Sequence, residues 1–67
     1  MDDNLHSLAR RLIELRIEHA DLDNLIDQAV SKIPKDELAI RRMKKHRLLM
    51  RDHIARLEAS LDPPEPA

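Results

Sequence analysis

The sequence predicts an all-α fold, an antiparallel two-helix hairpin of coiled-coil type that assembles into a dimeric or larger helical bundle. Three observations predict it. Two stretches place apolar residues at heptad spacing, one proline separates them, and the 67-residue chain has no glycine and no aromatic residue. Without glycine, the left-handed turns of β-hairpins are expensive. Without Phe, Tyr or Trp, the core must be aliphatic. With 37% of residues charged, the composition is that of exposed helices carrying narrow apolar stripes.

The first stretch runs Leu5, Leu8, Leu12, Leu15, His19, Leu22, Ile26, Ala29 and Ile33, with spacings that alternate 3 and 4. An unbroken seam of that kind predicts one long helix, placed over about residues 3–32. Asp2, Asp3 and Asn4 offer N-caps ahead of it. The second stretch runs Ile40, Met43, Arg47, Met50, Ile54, Leu57 and Leu61, and predicts a helix over about 35–61. Pro34 cannot sit inside the first helix, because it lacks the N–H and clashes with the preceding turn. It suits a turn over about 33–35 that opens the second helix, with Asp36 and Glu37 in the first turn, where the macrodipole favours acid. Pro63, Pro64 and Pro66 close that helix, so residues 1–61 form the hairpin and 62–67 a Pro-rich extended tail.

A break this short folds the helices back on each other. Centring the turn on Pro34–Lys35 sets the layers: Ala29 with Ile40, Ile26 with Met43, Leu22 with Arg47, His19 with Met50, Leu15 with Ile54, Leu12 with Leu57, and Leu8 with Leu61. On the flanks, Asp23 falls between Lys44 and Arg51, Arg16 faces Glu58, and Glu18 faces His53. Exposed pairs of this kind are worth about 0.2–1 kcal/mol each, so they select a register more than they stabilise it.

Apolar residues also stand off the seam. Ala9, Ile13, Ile17 and Ala20 make a second stripe on the first helix, and Leu48, Leu49 and Ala55 stand outside the seam of the second. A lone hairpin would leave them in water, and a chain this small rarely builds a sufficient core alone. Ile13, Ile17, Leu48 and Leu49 are therefore the expected oligomer face of a homo-oligomer.

Charge is uneven along the chain. Residues 1–33 hold four basic and seven acidic residues, whereas residues 34–61 hold eight basic and four acidic ones. The strip Arg41-Arg42-Met43-Lys44-Lys45-His46-Arg47 is the strongest local signal. It reads either as a phosphate-binding strip for DNA or RNA or as a face neutralised by the acidic first helix. The second reading is favoured. The basic residues point in several directions, no aromatic is present to stack bases, and the net charge is only −1. Nucleic acid stays as the alternative partner.

No metal, cofactor or catalytic set emerges. There is no cysteine, hence no disulfide and no thiolate ligand. His46 and His53 are two turns apart rather than the i, i+4 pair of zinc helices. Ser7, Ser31 and Ser60 lack a glycine elbow and an evident base, so the chain reads as a non-enzyme. Charges interrupt every apolar run, and the start Met1-Asp2-Asp3 is acidic where a signal peptide is basic. The expectation is a cytoplasmic protein without membrane contact. Two polar residues interrupt the seams, His19 and Arg47. Such intruders fix register or oligomer state. His19 is read as a hydrogen-bonded residue at the seam edge rather than as a pH-sensitive element. The Arg47 stem packs while its guanidinium reaches Asp23 or Glu18.

The run His19-x-x-Leu22-Asp23-x-x-Ile26, followed by Met43-Lys44-Lys45-His46-Arg47-Leu48-Leu49-Met50-Arg51-Asp52-His53-Ile54, resembles the YdcH-like family of small bacterial proteins. That family's pattern is roughly His-x-x-Leu-Asp-x-x-Ile, then Leu-Lys-Lys-x-Lys-Leu-x-Leu-Lys-Asp-x-Ile. Here Met43 and Met50 replace leucines, and Arg47 and Arg51 replace lysines, which keeps apolarity and charge. The resemblance covers about residues 5–58. It implies a self-associating helical hairpin in a bacterial cytoplasm, with no catalytic residue and no cofactor. It marks His19, Asp23, Lys44, Lys45 and Asp52 as interaction or register candidates, alongside Arg47. The function expected is a non-catalytic structural or protein-interaction module.

Overall fold

A computed structural model describes residues 2–61, with side chains from Ser7 onward. The chain forms helix α1 over Asp2–Ser31 and helix α2 over Glu37–Leu61, packed antiparallel as a hairpin. No strand occurs among the described residues. The tail predicted over 62–67 lies outside them.

α1 spans 30 residues because nothing in Asp2–Ser31 breaks a helix: there is no proline, no glycine and one unbroken heptad stripe. It starts earlier than the apolar pattern indicates. Asp2, Asp3 and Asn4 stand within the helix rather than ahead of it as caps. Acidic residues suit a first turn as well as a cap, so the stripe marks only where burial begins. At the other end the Ser31 hydroxyl donates to the Asp27 carbonyl at 2.9 Å, and the Lys32 N–H donates to the Ala29 carbonyl at 3.4 Å. That tightened last turn ends α1 before Ile33. Ile33, a seam position by its spacing, is 93% exposed, because the chain has left the helix there.

Pro34 belongs to the turn and does not open α2, contrary to the expectation from sequence; the Ile33–Pro34 peptide is cis. The helix starts two residues past the predicted position because Asp36 caps it. Its Oδ1 accepts the Ala39 N–H at 3.0 Å, and its carbonyl accepts the Ile40 N–H at 3.0 Å. Aspartate is among the strongest N-caps, so Asp36 stands at the boundary and Glu37 takes the first helical position. Asp36→Ala should cost about 1 kcal/mol (range about 0.5–2) in denaturant unfolding. A change near zero would show that water serves the α2 terminus equally well.

The core is a single seam. Leu12, Leu15, Leu22, Ile26, Ile40, Met50 and Leu57 are buried, and Met43, Ile54 and Leu61 pack against them half-buried. From Leu12 to Ala29 and from Ile40 to Leu61, every predicted seam position is buried or half-buried, including His19 and Arg47. Leu8 is exposed, although the register places it against Leu61. The molecule measures 50 × 28 × 14 Å. Its thin dimension is close to one helix diameter, roughly 10–12 Å, so each helix keeps an uncovered back. Among the described residues, no helix is long and apolar enough to cross a membrane.

Candidate functional site

Three features stand out on this scaffold: a polar node in the seam, an apolar stripe on the back of α1, and a basic and apolar face on α2.

The node forms where both seams admit a polar residue. Arg47 Nη1 donates to Asp23 Oδ1 at 3.0 Å across the hairpin. One turn away on α1, His19 Nδ1 lies 3.5 Å from Asp23 Oδ2. Asp23 is therefore bracketed by a guanidinium and an imidazole, and all three side chains are partly shielded from water. Solvent still reaches the Arg47–Asp23 pair, which limits its contribution to about 1 kcal/mol. The other ring nitrogen of His19, Nε2, is buried without a hydrogen-bond partner among the described residues. Leaving such an atom unpaired costs about 1–3 kcal/mol, so the node contributes register at the expense of stability.

The sequence places Asp23 between Lys44 and Arg51 and also within reach of Arg47. The structure gives Asp23 to Arg47, as the packed stem of Arg47 leads one to expect, and neither Lys44 nor Arg51 has an ion-pair partner among the described residues. The reason is position: Arg47 already packs its stem in the seam and reaches the carboxylate from inside, while Lys44 and Arg51 remain exposed. The Arg16–Glu58 pair is present at 2.7 Å. The Glu18–His53 pair is not formed. Glu18 lies 3.6 Å from Arg11 on its own helix, although Glu18, His46 and His53 all line one open groove of about 290 Å³ between the helices. No group of three or more ligating side chains suited to a metal ion occurs among the described residues.

The remaining predicted residues lie outside the node. Asp52 lies 3.2 Å from Arg56 Nε, a surface ion pair one turn apart. Lys45 is exposed with no ion-pair partner among the described residues. Ile13 and Ile17 are each 58% exposed on the back of α1, and Leu48 and Leu49 are 64% and 60% exposed on α2. Leu48, Leu49 and Ala55, with Arg51 and Asp52, line a shallow groove of about 470 Å³ on the outer face of α2. Leu25 and Leu38 are also exposed apolar residues, absent from the predicted set. Both stand off the heptad seam, and that position is the signal that marks them.

The described grooves are open, and each is lined by apolar and charged side chains together. The family model described as "Protein of unknown function (DUF465)" matches residues 12–58. The chain belongs to the DUF465 family. The resemblance to the YdcH-like proteins agrees with this membership. No curated protein and no solved structure matches the chain. The DUF465 match begins at Leu12, the first buried residue among the described side chains of α1, and ends at Glu58, one residue past Leu57. It thus spans the packed hairpin, including the node and both outer faces.

Proposed function

We propose that this DUF465 chain is a non-catalytic helical hairpin that self-associates and works as a structural or protein-interaction module in the bacterial cytoplasm. One observation carries the reading: a hairpin 14 Å thin buries a single seam and leaves Ile13, Ile17, Leu48 and Leu49 on its outer faces. Exposing one such residue is ordinary, but two paired sets on opposite backs of a small domain favour further association. Burying them adds apolar area to a core that a chain of this size otherwise lacks.

Sedimentation velocity over a concentration series tests the reading. A particle of two or more chains that dissociates on dilution is expected. A monomer up to high micromolar concentration would overturn it.

One observation favours a second reading. Arg41, Lys44, Lys45 and Arg51 lack ion-pair partners among the described residues, so the first helix pairs with Arg47 of the basic strip and leaves these four cations free. A cluster of free cations on one helix can track a phosphate backbone. Affinity for mixed DNA or RNA that survives physiological salt, and falls steeply as salt rises, would make nucleic-acid binding the primary role.

A further inference from the structure

The back of α1 carries a pattern that fits its own copy, and from it we infer that two hairpins associate through α1 against α1 in antiparallel fashion. The inference rests on the self-association proposed above and names the surface and the occupant. Six exposed residues make the pattern: Ala9, Arg10, Ile13, Ile17, Ala20 and Asp21. At 3.6 residues per turn, Ile13 and Ile17 form the middle of the stripe. Arg10 and Asp21 lie on one flank of it, and Ala9 and Ala20 on the other.

Turning a second α1 end for end about the midpoint of Ile13 and Ile17 matches all six. Ile13 meets Ile17 of the second copy, and the reverse contact repeats it. Arg10 falls within about one residue of the level of Asp21 of the second copy, on the same flank. Ala9 and Ala20 meet on the other flank, where their small side chains let the helices approach. The two-fold axis makes every contact twice, so the interface closes as a dimer. Neither Arg10 nor Asp21 has an ion-pair partner within its own chain among the described residues.

The other pairings fit less well. An antiparallel contact of α2 on α2 centred on Leu48 sets Lys44 beside Arg51 of the second copy, twice, and like charges so placed are repulsive. There Asp52 is already ion-paired with Arg56. A contact of α1 on α2 leaves one back of each hairpin unused, so it builds a ring or a filament rather than closing at two chains. The α1 pairing leaves Leu48, Leu49 and the free cations of α2 on the outside of the dimer, available to another molecule.

The absence of cysteine makes disulfide trapping a clean test in the 67-residue chain. Ala9→Cys mixed with Ala20→Cys should give a disulfide-linked dimer under mild oxidation. Neither variant alone should. In this arrangement the Ala9 positions of the two copies lie about 18 Å apart along the axis, and the two Ala20 positions about 15 Å apart. A disulfide needs Cα atoms within about 7 Å. Arg10→Asp and Asp21→Arg should each weaken the dimer about tenfold or more in sedimentation, and combining both in one chain should restore it. Circular dichroism on each variant reports that the hairpin stays folded.

The outcomes separate. A dimer in sedimentation that cross-links through Leu48→Cys, and not through the mixed pair, overturns the α1 contact while self-association stands. A monomer at every concentration overturns both. The mixed cross-link together with recovery in the double charge variant supports both.

Discussion

Replacing Ile26 by alanine should leave the hairpin largely unfolded or close to its midpoint at room temperature in dilute solution. Ile26 is 3% exposed and sits in the cluster with Leu22 and its neighbours across the seam, Met43 among them. Truncating a buried aliphatic residue removes its transfer free energy and leaves a cavity, together about 2–5 kcal/mol. Domains are stable by roughly 0.05–0.15 kcal/mol per residue, so a chain this small has only about 3–10 kcal/mol in total. One seam residue therefore matters far more here than in a larger fold. The control is Ile17→Ala, which removes a comparable side chain from a position 58% exposed. Its cost to folding of the single chain should stay within about 0.5 kcal/mol. Both are read by far-UV circular dichroism in a denaturant series at low protein concentration, where association adds least to apparent stability. A loss under about 1 kcal/mol for Ile26→Ala would show that the seam is not what holds the helices together.

The seam is also where sequence and structure agree most closely, for a physical reason. A strict 3 and 4 alternation leaves only one face on which Leu12, Leu15, Leu22 and Ile26 can all be buried, and one proline leaves only one place to reverse direction. The ends are less legible because several small preferences compete there. Pro34 is acceptable at the first position of a helix, but Asp36 makes a stronger boundary through its bond to Ala39, and the chain takes the stronger one. Ile33 continues the heptad spacing in the sequence and yet points to solvent, because periodicity carries no information once the helix has ended. The candidate site is legible in its members more than in its contacts. His19, Asp23 and Arg47 stand out as polar residues in or beside apolar seams. Which cation takes Asp23 depends on side-chain reach and shielding, and spacing alone does not resolve three basic residues within two turns. The outer residues Ile13, Ile17, Leu48 and Leu49 are identifiable because any apolar residue off the seam of a two-helix hairpin has nothing inside to touch.

The node decides between the partners that the sequence offers Asp23, with Arg47 inside the seam and Lys44 and Arg51 outside it. Arg47→Glu would set a carboxylate against Asp23 in a half-shielded part of the seam, at a position where the two side chains now lie 3.0 Å apart. The substitution loses a charge-assisted hydrogen bond, adds like-charge repulsion and leaves His19 as the only nearby partner for Asp23 among the described residues. Solvent access tempers each contribution, so the expected loss is about 1–3 kcal/mol. Asp23→Arg should cost a similar amount. The double exchange should recover at least half of the summed loss, because the two residues touch and their effects are not additive. Lys44→Glu should cost less than about 0.5 kcal/mol, since Lys44 is exposed and has no ion-pair partner among the described residues. Denaturant midpoints for the four variants decide the matter. If Lys44→Glu proves the costly change and Arg47→Glu the mild one, the carboxylate belongs to Lys44. The Arg47 guanidinium would then be merely a solvated group at the seam edge.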